Sequence, residues 1–276
     1  MSARQRIVAE LAAIGRQSDD AAIDIGAAAL ALAALDQPDV ALAPYQVHLA
    51  ELAATAATLA PARADAKQAA AALCQTIHGR HGYAGDSETY DDPQNASLLR
   101  VIDRRKGLPV ALGILYLHAA RVRGWALAGL NFPGHFLLRL EQGGARAVID
   151  PFHGRELGPG EMHELLQRMA GPAAELEPWH HQPVSARDVL LRLQNNIKTR
   201  ALQAGDTARA ADIVRSMLLL APNHAPFWRE LGLIETEQGN LQNALAALQA
   251  CATHASDAAM RSDAVALLQR LRQRLN

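Results

Sequence analysis

A chain of 276 residues, half of them hydrophobic, is long enough for a sizeable core and for two domains rather than one, and too apolar to be disordered. Its 27 basic and 28 acidic residues leave a net charge of −1, which gives no electrostatic reason to expect a nucleic acid or an anionic membrane as partner. Met1 to Asp20 alternates charge with Leu and Ile in a helical manner, and the most apolar run, Ile23 to Leu35, contains Asp24 and is too short to span a bilayer, so a cytoplasmic location is expected.

The first 82 residues read as a helical N-terminal region, because Ala and Leu dominate and strand formers are scarce. Pro38, Pro44 and Pro61 punctuate it, and its last helix ends near His78-Gly79. Leu73, Cys74 and Ile77 share one face of that helix, so Cys74 reads as a small buried hydrophobe. Cys74 and Cys251 stand alone in their segments and make neither a metal pattern nor a disulfide framework.

Tyr83 opens a second region that runs to Pro183. Tyr83 to Pro93 is loop-like, and its Asp86, Glu88, Asp91 and Asp92 lack the spacing of a calcium loop. Asn95 to Arg105 is expected to be helical, ending in the charged run Asp103-Arg104-Arg105-Lys106. Pro109 is placed to open a helix through Arg123, buried along Leu112, Leu115, Tyr116 and Ala119. Two apolar runs around Gln142-Gly143-Gly144 then read as a β-hairpin. With the turn centred on Gln142-Gly143, His135 faces Asp150 directly, and so does Arg139 face Arg146, which is unfavourable unless that end is solvated. A His and a carboxylate in contact supply two members of a nucleophile-His-Asp triad.

From Val184 onward the chain is helical again and carries an internal repeat. Gln203-Ala204-Gly205-Asp206 and Glu237-Gln238-Gly239-Asn240 are offset by 34 residues, Ala210 matches Ala244, and Ile197 matches Leu231. With Trp228-x-x-Leu231-Gly232, this is the period and pattern of tetratricopeptide repeats, with the last helix, Met260 to Leu275, as a cap. Such repeats either present a groove to a peptide or pack against their own N-terminal domain.

Taken together, the segments resemble the bacterial SirB-type family, in which a transglutaminase-like core precedes tetratricopeptide repeats. Asp92-Pro93-x-Asn95, Asp103 to Pro109, Phe132-Pro133-Gly134-His135-Phe136 and Ile149-Asp150-Pro151-Phe152 carry the likeness, which covers nearly the whole chain. It implies an α+β fold in three parts: the helical region 1–82, a papain/transglutaminase-like core with a small antiparallel sheet at 83–183, and an all-α repeat domain at 184–276. In active members of such folds Gly-x-Cys opens the helix that presents the thiol. The corresponding residues here are Gly107-Leu108-Pro109, so Pro109 stands where the nucleophile would be, and Val110 and Ala111 cannot substitute.

The resulting expectation is a pseudoenzyme that binds a protein or peptide partner through its repeats and acts as a regulatory module. His135 and Asp150 form its inherited pair, and Asn95, Arg104, Arg105, Pro109 and Trp228 are candidate binding residues. The alternative is a hydrolase or amidotransferase that uses His135 as base, Asp150 as its orienting partner and a nucleophile from elsewhere, with Cys74 the only thiol N-terminal to the core. A metal held among His78, His81, His135, His153, His180 and His181 with Asp150 is a weaker alternative, since none has ligand spacing. No cofactor and no metal are expected, and the oligomeric state is left open.

Overall fold

The Ala- and Leu-rich opening forms helices α1 (Ala3–Gly15), α2 (Ile25–Ala34), α3 (Ala43–Leu59) and α4 (Ala66–Cys74) in the computed structural model, which describes residues 1–275. A capping box starts α4: the Gln68 N–H donates to Asp65 Oδ1 at 2.8 Å, and the Asp65 N–H to Gln68 Oε1 at 3.1 Å. The helical segment ends at Arg80, close to the expected end near His78-Gly79, but its last part is not α-helical. It widens into a π-helical segment, Gln75–Arg80, that carries His78.

Next come β1 (Ala84–Gly85), a 3₁₀ turn at Pro93–Ala96, α5 (Leu98–Arg104), β2 (Lys106–Gly107) and α6 (Pro109–Val122). The single helix expected over 95–105 is thus a turn and a shorter helix. Asp92 caps the start of the turn through the Gln94 N–H, and the turn closes at Ser97, whose N–H donates to the Gln94 carbonyl and whose extended backbone separates it from α5. Strands β3 (Ala126–Leu130), β4 (Leu138–Gln142), β5 (Ala145–Asp150), β6 (Arg155–Leu157) and, after α7 (Pro159–Ala170), β7 (Pro183–Val184) make one antiparallel sheet in the order β6-β5-β4-β3-β7. The α+β class is as expected. Helix α6 packs on α2, α3 and β3, and its residues Val110 to Tyr116 are all buried.

The hairpin register differs from the expected one. Gln142 pairs with Ala145 and Glu141 with Arg146, so the turn residues are Gly143 and Gly144, with φ of +61° and +76°. A two-residue hairpin turn of this kind needs positive φ at both positions, which two glycines supply and Gln142 would not. Arg139 now faces Val148, and Arg146 Nε lies 2.8 Å from Glu141 Oε1, so the expected clash of arginines does not arise. Because the displacement is two residues, every side chain keeps its face.

Val184 is followed by α8 (Ala186–Gln203), α9 (Thr207–Leu220), α10 (Ala225–Glu237), α11 (Leu241–His254) and α12 (Ala258–Leu275). The pairs α8–α9 and α10–α11 reproduce the 34-residue offset. The chain divides into two compact units, residues 1–7 with 19–193, and residues 8–18 with those from Gln194 onward. In the second unit Ala210, Ala211, Val214, Leu231, Ile234 and Ala247 form an apolar core against which Trp228 packs.

Candidate functional site

His135 is held from three sides before its imidazole is considered. The neighbouring Phe136 ring fills notches left by Gly113 on α6 and Gly129 on β3, where a Cβ would come within 2.4 and 2.8 Å of the ring. The Arg192 guanidinium lies 5.5 Å from the Phe136 centroid and donates to the His135 carbonyl at 2.7 Å and the Phe132 carbonyl at 3.3 Å. The loop between β3 and β4 is therefore fixed to α6, to the sheet and to the start of α8.

His135 Nε2 lies 3.0 Å from Asp150 Oδ1, both groups being buried. The contact is made from the loop before β4 rather than across a strand pair. Asp150 ends β5, and its carboxylate is saturated by local geometry: Oδ1 also accepts the Phe152 N–H at 2.9 Å, and Oδ2 lies 2.6 Å from Nδ1 of the exposed His153. Burial alone would push this carboxyl up. The hydrogen bond and charge of His135, then those of His153, outweigh it and hold the group at about 2. With Nε2 committed to Asp150, the other ring nitrogen of His135 makes no hydrogen bond among the described residues.

Behind Asp150 the π-helical segment presents His78, whose Nε2 lies 3.0 Å from the Pro151 carbonyl and whose ring centroid is 6.2 Å from that of Tyr116. Burial pushes the His78 imidazole down. Gly154 follows in a left-handed conformation, φ +66°, with a Cβ position 2.2 Å from His78 Cγ, so neither a side chain nor a relaxed backbone fits there. Cys74 interacts with the buried Tyr116 hydroxyl, which has no hydrogen bond of ordinary geometry. Burial raises the Cys74 thiol to about 11, and the charges of Glu156 and Asp150 add to that. It is a protonated, inert thiol at neutral pH.

The other expected site residues lie elsewhere. Pro109 is buried in the first turn of α6. Asn95 and Arg104 form a tie in the loop: Arg104 donates to Asn95 Oδ1 at 2.9 Å and to Asp86 Oδ2 at 3.0 Å, while the Asn95 amide donates to the Thr89 carbonyl. Thr89, through its hydroxyl and its N–H, then Asn95 and Arg104, hold Asp86 well below the usual carboxylate range against its burial. Arg105 is the residue after α5, in a left-handed conformation at φ +57°, and its guanidinium bonds His48 and the Tyr83 hydroxyl. Trp228 donates to the Pro222 carbonyl at 2.7 Å within the repeats. None of these is a hydrogen-bond partner of the His135–Asp150 pair.

Arg192 is the contributor that the sequence does not reveal, whereas His78 and His153, grouped with His135 and Asp150 only as metal ligands, instead bond the Pro151 carbonyl and the Asp150 carboxylate. His153 follows Asp150 at the spacing of a turn that the aspartate itself caps, which was a usable signal. Arg192 is 57 residues from His135 and left none. Among the described residues no group of three or more His, Cys, Asp or Glu side chains is placed to hold a metal ion. Among the same residues no helix is long and apolar enough to cross a membrane.

The profile of the transglutaminase-like superfamily matches residues 43–195, and a tetratricopeptide-repeat profile matches residues 197–272. A UPF0162 protein of Vibrio cholerae is 30% identical over 214 residues, 77% of this chain and 79% of that one. A UPF0162 protein of Pseudomonas aeruginosa is 32% identical over 66% of this chain and 69% of its own length. One from Xylella fastidiosa is 33% identical over 63% of this chain and 64% of its own length.

Proposed function

We propose a binding role for this chain, which belongs to the UPF0162 (SirB-type) family of transglutaminase-like proteins carrying tetratricopeptide repeats. In this reading it is a non-catalytic, regulatory module that engages a protein or peptide partner. Residues 83–183 keep the remnant of a catalytic centre, residues 1–82 other than 8–18 buttress it, and residues 184–276, with 8–18 in the same unit, provide the recognition surface. One observation carries the reading: α6 opens on Pro109, followed by the buried Val110 and Ala111, at the position where an active relative needs a nucleophile. A helix N-terminus stabilises a thiolate, but none of these side chains has an atom to ionise. Cys74 does not replace it, because its surroundings favour the thiol.

The assignment is tested by crosslinking the tagged full chain in its native cells and mapping the linked residues. A reproducible protein partner linked to residues 197–272 is the expected result, and the absence of any reproducible partner counts against the role.

A second reading is hydrolysis through an activated water. It is favoured by the unbonded nitrogen of His135, which stands opposite the nitrogen held by Asp150 as a general base would. Turnover that disappears in His135→Ala would establish it.

A further inference from the structure

The second unit contains a pocket of about 440 Å³ lined by Leu218, Leu219, Leu231 and Trp228 and by the side chains of Arg16 and Arg215. Its walls are fixed. Gly15 lies so close to α9 that a Cβ would be 2.0 Å from the Leu219 carbonyl oxygen, so the backbone leading into Arg16 is held against α9. The Trp228 indole is tied to the Pro222 carbonyl. The two charges differ in kind. Arg215 is paired with Asp212 at 2.7 Å and with the buried Glu235, whereas exposed Arg16 has no carboxylate partner among the described residues.

We infer that this pocket receives an acidic peptide segment carrying one large apolar side chain, which fills the space over Trp228 while a neighbouring carboxylate meets Arg16. The inference rests on the binding role proposed above and names the chemistry of the partner. Apolar burial supplies the attraction. The unpaired guanidinium supplies the preference for acid, since Arg215 is already neutralised by its own two carboxylates.

The test uses the full chain on an array of hexapeptides, each with one Leu, Ile, Met, Phe or Trp flanked by Asp and Glu, beside matched peptides with Asn and Gln. The acidic set should bind at least about tenfold more tightly than the neutral set, and more weakly as salt rises. Arg16→Glu and Arg16→Ala should each lose about tenfold or more in affinity, while Arg80→Glu, an exposed arginine of the other unit, should not change it. Both Arg16 variants should melt with the parent chain. Equal binding of acidic and neutral peptides, no binding in either set, or binding unmoved by both Arg16 variants would overturn the assignment. So would self-association of the chain that Arg16→Glu abolishes, which would give the pocket to a second copy. Crosslinks to the repeats that survive in Arg16→Glu would leave the binding role standing and remove this pocket from it.

Discussion

The His135 imidazole and the Asp150 carboxylate meet at 3.0 Å although the two residues are not paired in the sheet. What joins them is the fixation of the 131–137 loop by Phe136 and Arg192, together with the turn that Asp150 caps. A bonded, buried pair therefore stands in a chain whose helix α6 opens on Pro109.

The Asp150 carboxyl lies at about 2, below its usual 3.8. A group depressed on folding adds stability that is present above the unfolded value and lost as pH falls through the folded one. The contribution is about 2 kcal/mol, from roughly 1.4 kcal/mol per unit, and it should vanish between pH 4 and 2. Urea denaturation of Asp150→Asn should show a loss of about 2 kcal/mol at pH 7 and a flatter decline over that acid window.

Gly154→Ala should destabilise the chain by about 2 kcal/mol or more, because the new methyl meets the His78 ring and the backbone is left-handed. The double variant Gly154→Ala with His78→Ala should recover part of that loss in the same denaturation assay, but not the part due to φ.

Arg104→Ala should cost about 1–2 kcal/mol, since the buried carboxylate of Asp86 loses its paired guanidinium but keeps the two Thr89 hydrogen bonds. Hydrogen exchange should report faster exchange of the Thr89 amide, which donates to that carboxylate.

Cys74 should alkylate slowly with iodoacetamide at pH 7.4, its rate still rising tenfold per pH unit up to about pH 10, because the thiol ionises near 11. A rate that levels off near neutral pH would mean an activated thiolate.

Much of this was legible in the sequence because local rules govern it. The 34-residue repeat, Pro109 at the head of α6 and the two strands around Gly143-Gly144 follow from period, capping and turn chemistry. The register was misread because the turn was centred one residue early, on Gln142, when only the two glycines both accept positive φ. Contacts made at long range were not legible. Nothing near His135 announces Arg192, and nothing in the charged run at 103–106 separates Arg104, which anchors a loop, from Arg105, which bonds His48 and Tyr83. The π-helical segment was hidden as well, since widening of a helix leaves no periodic signal in six residues.

The claim that the His135–Asp150 pair outlived its chemistry is tested most directly by acyl-transfer and ester-hydrolysis turnover of the purified full chain, measured beside His135→Ala. The binding account predicts the same background rate for both proteins. A rate above background in the native chain that falls in His135→Ala would contradict it.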